Sequence, residues 1–144
     1  MAVVLGYDES PGAARALEAA IEVAAAFGEP LVIVHGVGAP GGLGEEYRSH
    51  RAALEAAGRT ALAAAVEAAD EAGVPTSVEL VDAKPADALL RVADAHDARV
   101  VVVGSWGESP LKGAVLGSTP HKLLHLSSRP VLCVPARPDQ TSQG

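Results

Sequence analysis

The stretch "GSWGESPLKGAVLGS", from Gly104 to Ser118, sets Gly104 and Gly107 in a G-x-x-G spacing, follows them with nine residues, and ends on Gly117 and Ser118. Glycine lets a backbone approach a phosphate closely, and the N–H groups at a helix start attract anions. Read this way, the spacing describes a phosphate cradle. The same residues also suit a surface loop whose glycines serve positive φ and whose Ser118 and Thr119 cap the next helix. Residue chemistry alone leaves both readings open. Two common nucleotide signatures are absent: no Gly is followed by Lys and then Ser or Thr, and the turn after the first strand lacks G-x-G-x-x-G.

Other candidate groups are weaker. His121 and His125 stand four apart and share a helix face, but no third ligand accompanies them, so no metal site is expected. Ser118 near His121 invites a hydrolase reading that the missing G-x-S-x-G elbow argues against. Cys133, the single cysteine, falls in an apolar run as a small hydrophobe and suits a reducing compartment. No catalytic residue is assigned.

These groups belong to a chain of 144 residues, 49% apolar, which is the size of one domain with a single core. Its formal charge of -7 and the lack of a basic tract argue against direct nucleic-acid binding. The start "MAVVLGYDES" has no basic n-region, and its apolar run is too short for a signal peptide or a membrane span. The expectation is a soluble cytoplasmic protein.

Five runs rich in Val, Ile and Leu read as strands: "AVVLGY" from Ala2, "PLVIVHGV" from Pro30, "TSVELV" from Thr76, "ARVVVVG" from Ala98 and "RPVLCVP" from Arg129. Between them, Ala13, Ala16, Leu17, Ala20 and Ile21, then Leu54, Ala61, Leu62, Ala65 and Val66, follow helical spacing. This alternation predicts an α/β domain with a parallel sheet and helices on both faces. The all-apolar Val100 to Val103 suits a central strand, whereas "TSVELV" alternates as an edge strand does. Ser10–Pro11 and Thr119–Pro120 read as N-cap and N1 pairs, and Gly28 as a helix stop. Residues 36–44 are expected to form a mobile loop, and the polar tail 137–144 to be disordered beyond a domain at 1–136.

The arrangement G-x2-G-x9-G-[ST] at Gly104, Gly107, Gly117 and Ser118 resembles the nucleotide-binding signature of the ATP-binding branch of the universal stress protein family. "VVLGYDESPGAARAL", "LVIVHGV" and "RPVLCVP" resemble the family's first strand and helix, second strand and last strand. The resemblance implies a single-domain Rossmann-like (adenine nucleotide alpha hydrolase-like) fold with a five-stranded parallel sheet in the order 3-2-1-4-5. It places Gly6, Tyr7 and Asp8 on the base and ribose side, with the backbone of Gly36, which follows His35, on the adenine edge. Gly104, Gly107, Gly117, Ser118 and Thr119 surround the phosphates, and Ser105 joins the same binding set. Asp8 also has a simpler reading, as an acidic complement to the next helix dipole.

The chain departs from the family pattern at Trp106, Glu108 and Pro120, where basic or hydroxyl groups are frequent. Lys112 either compensates in part or is a solvated lysine on a loop, and Trp106 covers apolar surface or stacks on a ligand. These departures weaken the expected hold on a triphosphate, unless a divalent cation lies between it and Glu108. The implied ligand is ATP, or ADP or AMP, with Mg2+ as a candidate companion. The implied partner is a second copy, paired through the last strand from Arg129 to Val134, an apolar edge that invites one; the tail folding back is the competing reading. The function expected is a homodimeric stress-response sensor or regulator. The alternatives are a slow ATPase or phosphotransfer enzyme using the same pocket, for which no positioned base is identifiable, and a dimeric interaction protein that binds no nucleotide.

Overall fold

The computed structural model describes residues 1–7, 11–36, 59–81, 85–105 and 117–136. Five strands, β1 (Ala2–Gly6), β2 (Leu31–Gly36), β3 (Thr76–Val81), β4 (Ala98–Gly104) and β5 (Val131–Val134), form one parallel sheet in the order β3-β2-β1-β4-β5. The helices are α1 (Pro11–Phe27), α2 (59–71), α3 (Pro85–Ala95) and α4 (Ser118–Leu126). The fold and the strand order implied by the resemblance are those observed.

Strand alternation sorts the core into two layers. Val3, Leu5, Leu31, Ile33 and Val102 face Ala16, Ala20 and Ala24 of α1 and Leu62, Ala65 and Ala69 of α2. Val4, Val32, Val34, Val101 and Val103 face Ala88, Leu89, Val92 and Ala93 of α3 and Leu123 of α4. Burying Leu5, Leu31 and Ile33 completely contributes roughly 1.5–3 kcal/mol each. The alanine stripe of α1 lets that helix lie close against the sheet.

Three helices end on a left-handed residue, whereas α4 ends on Ser127 in an extended conformation at φ -75. Gly28 stops α1 at φ +64, with its N–H donating to Ala25 C=O and the Glu29 N–H donating to Ala24 C=O at 2.9 Å. Gly73 does the same for α2 at φ +74, and Asp97 follows α3 at φ +50. Each left-handed residue turns the chain into the next strand.

Two details differ from expectation. In the edge strand β3 the apolar Val78 and Leu80 are exposed, while Glu79 is half-buried because its carboxylate accepts a 2.9 Å bond from His96 Nε2. Thr119 is not an N-cap: α4 starts earlier, with Gly117 as its cap and no side-chain bond closing it. Pro120 therefore falls at the third helical position, where its missing N–H has no intrahelical acceptor to lose. The first such bond runs from His121 N–H to Gly117 C=O at 3.1 Å.

Candidate functional site at the carboxyl end of the sheet

The strand order makes β1 and β4 neighbours while the chain leaves β1 toward β2 on one side and reaches β5 on the other. A crevice opens beyond the carboxyl ends of strands at such a reversal. Register sets the level: Gly6 lies beside Val34, Leu5 beside Val102, and Gly104 beside Val134. Gly6, Tyr7, Gly36, Gly104 and Ser105 thus end three adjacent strands on the same rim.

Ser105 ties the last helix to this rim. Its N–H donates to Val134 C=O at 3.0 Å, and its C=O accepts from Gly117 N–H at 2.9 Å. The chain that leaves at Ser105 therefore returns beside it, and Ser105 is buried. Gly117 adopts φ -63 and ψ 167, an extended conformation open to any residue, so its backbone alone does not demand glycine. Ser118 and Thr119 follow as the first two helical residues, with N–H groups that have no intrahelical acceptor.

Gly6 and Gly104 are glycine for a different reason. A Cβ on Gly104 would stand 3.0 Å from the carbonyl carbon and 3.1 Å from the oxygen of Gly12. A Cβ on Gly6 would meet Leu89 Cδ1 at 2.9 Å and Val103 Cγ1 at 3.1 Å. Both positions are cleared for packing. The contact at Gly104 has an electrostatic consequence, because it brings the start of α1 to the rim that already holds the start of α4. Neither helix carries an acidic residue in its first turn, so two positive dipole ends meet at one end of the sheet.

Among the described residues, the shortest ion pair lies at the opposite end. Arg99, at the start of β4, holds Glu29 at 2.6 Å and sits 4.2 Å above the Phe27 ring. The hydrogen bond from Arg99 keeps the Glu29 carboxyl below its usual range. Arg129, just before β5, donates to Asp97 and to Ala98 C=O, both at 3.0 Å.

Of the residues singled out from sequence, Asp8 and Gly107 lie outside the described residues, as do Trp106, Glu108 and Lys112. Gly6, Tyr7, Gly36, Gly104, Ser105, Gly117, Ser118 and Thr119 come together as described. One residue was not singled out. His35 donates through Nδ1 to the Tyr7 carbonyl at 2.8 Å, across the ends of β2 and β1. A histidine at the penultimate position of a buried strand was the available signal.

The His121 and His125 rings pack edge to face at 4.6 Å, and among the described residues no group of three or more His, Cys, Asp or Glu could hold a metal ion. Among the same residues, no helix is long and apolar enough to cross a membrane.

Residues 1–135 match the model of the universal stress protein family. The chain belongs to that family. Solved structures of universal stress proteins are similar over nearly its whole length. One from Burkholderia pseudomallei is 28% identical with a TM-score of 0.76, covering 94% of this chain and 96% of that one. A universal stress protein in complex with cAMP is 30% identical, with a TM-score of 0.74 and coverage of 95% and 98%. One from Archaeoglobus fulgidus in complex with dAMP is 26% identical, with a TM-score of 0.72 and coverage of 93% and 97%. No curated protein sequence is significantly similar to this universal stress protein.

Proposed function

We propose that this universal stress protein binds an adenine nucleotide, ATP foremost, at the carboxyl ends of β1 and β4, and acts in the cytoplasm as a homodimeric sensor or regulator of the stress response. The observation that carries the reading is the 2.9 Å bond from Gly117 N–H to Ser105 C=O, which holds the start of α4 against the end of β4. It supports a phosphate at Ser118 and Thr119, reached over a Gly117 whose own dihedrals do not require glycine. The cAMP and dAMP complexes of the two relatives support an adenine nucleotide as the class of ligand.

The donors also set a limit. Gly117 N–H is already committed to Ser105, and Pro120 has none, so the first turn of α4 offers the N–H groups of Ser118 and Thr119. Two donors suit one phosphate. Gly104, Ser105 and Gly107 would hold the outer phosphates of ATP, and Asp8 would hold a Mg2+ that neutralises their charge. The base lies against Gly36 and the ribose against Gly6, Tyr7 and Asp8. The domain carrying this site spans residues 1–136, and its partner is a second copy paired through β5.

Calorimetry with ATP, ADP and AMP, with and without Mg2+, tests the reading on wild type and on Gly117→Val. Saturable binding is expected in wild type, with ATP the nucleotide most dependent on Mg2+. Gly117→Val should keep the fold and lose binding, because its side chain fills the approach to the first turn of α4. Failure of wild type to bind any of the three overturns the proposal.

A further inference from the structure

We infer that the Ser127 hydroxyl and Pro135 bracket the outer edge of β5 to two residues, so that a second copy of this chain docks there in one register, with Leu132 opposite the partner's Leu132. The inference rests on the β5 pairing proposed above for its partner and on backbone geometry for the register. Val101 N–H donates to Pro130 C=O at 2.9 Å and Ser105 N–H donates to Val134 C=O at 3.0 Å, with Val101 beside Val131 and Val103 beside Cys133. In a parallel pair this arrangement turns the peptide groups of Leu132 and Val134 toward β4 and leaves the N–H and C=O of Val131 and Cys133 on the outer edge. β5 ends the strand order, so among the described residues no strand covers that edge.

The usable edge stops abruptly at both ends. Ser127 Oγ accepts from Arg129 N–H at 3.0 Å and donates to Arg129 C=O at 2.9 Å, which occupies both backbone groups two residues before Val131. The Arg129 side chain fixes this turn, donating to Asp97 Oδ1 and to Ala98 C=O, both at 3.0 Å. Two residues beyond Cys133, Pro135 has no N–H to offer. The window that remains holds two donors and two acceptors, a pattern that is its own complement when reversed.

Two-fold symmetry makes the pairing of identical edges antiparallel, and three registers bring the outward groups together. Val131 opposite the partner's Cys133 lets every donor and acceptor of both windows pair. It also sets Arg129 against the partner's Pro135, so the positions that cannot pair face each other. Val131 opposite the partner's Val131 instead sets Cys133 against the occupied groups of the partner's Arg129. Cys133 opposite the partner's Cys133 drives the Pro135 ring, in place of an N–H, against the carbonyl of the partner's Val131. The first register satisfies the edge, and Leu132, 38% exposed, meets the partner's Leu132 at its centre.

Oxidative cross-linking reads the register, because a disulfide needs Cα atoms about 4.4–6.8 Å apart. Leu132 and the partner's Leu132 form a non-hydrogen-bonded pair at about 4.5 Å, whereas Val131 and Cys133 each stand roughly 8–9 Å from their own copies. In a Cys133→Ser background, Leu132→Cys should form a covalent dimer with diamide and Val131→Cys should not. Wild type, through Cys133, should not either. Adding Ser127→Ala frees the Arg129 groups and should admit cross-linking of Val131→Cys. Pro135→Ala restores an N–H and should admit cross-linking at the native Cys133.

Cross-linking of wild type or of Val131→Cys as readily as of Leu132→Cys overturns the inference. So do folded Ser127→Ala and Pro135→Ala proteins that keep the parent cross-linking pattern. Sedimentation of wild type separates the two levels: a monomer overturns the proposed β5 dimer and the register with it, whereas a dimer with another cross-link pattern overturns the register alone.

Discussion

Gly104 on β4 and Gly12 on α1 meet backbone to backbone, and a Cβ placed on Gly104 would stand 3.0 Å from the Gly12 carbonyl carbon. The neighbour is helix backbone, which yields less readily than the end of a side chain. Gly104→Ala should therefore cost about 1–3 kcal/mol through overpacking. Urea unfolding should show a lower midpoint at unchanged slope. Gly6→Ala should cost less than Gly104→Ala, because its nearest obstacle is the tip of Leu89. Equal losses would show that α1 gives way as easily as a leucine.

The Glu29–Arg99 pair predicts a pH dependence with a definite sign. Glu29 is held below its usual range, first by the hydrogen bond from Arg99, with burial acting against it. A carboxyl lowered in the folded state contributes stability above its unfolded pKa and loses it as pH falls through the folded value. Wild type should thus have a higher melting temperature than Glu29→Gln at pH 7, and the gap should close below about pH 4. A gap of constant size from pH 7 to pH 3 would mean that shape, not charge, makes the contribution.

The proposed dimer through β5 can be tested from its exposed side. Leu132 on this edge strand is 38% exposed, whereas Cys133 is half-buried and packs against the core. Leu132→Asp should leave the fold intact and shift sedimentation toward the monomer, since the new carboxylates would face each other across the pairing strands. A dimer that persists in Leu132→Asp would place the interface elsewhere.

Local patterns made much of this architecture legible. Apolar runs bounded by Gly and Pro marked all five strands, and the spacing of Ala13, Ala16 and Ala20 marked the buried stripe of α1. Gly28 announced a helix end because glycine readily takes the left-handed conformation in which the N–H groups after the helix reach its last carbonyls. Such signals lie within a few residues of the structure they specify. The rim residues were found through a motif resemblance, and that motif is itself local.

Other features depend on partners distant in the chain. Thr119–Pro120 looked like a helix start, yet the start is Gly117, because its N–H reaches the Ser105 carbonyl and the chain can turn into a helix from that anchor. Gly104 looked like a place for phosphate, and the fold uses it first to admit the backbone of Gly12. His35 carried no motif at all; its meaning came when β1 settled beside β2 and set the Tyr7 carbonyl 2.8 Å from its ring. Which segments become strands and helices, and where most of them stop, is readable along the chain because those choices rest on neighbouring side chains and on φ. Which backbone groups meet at the rim emerges with the packed sheet, because a hydrogen bond between residues such as Tyr7 and His35 depends on register, which no local pattern contains.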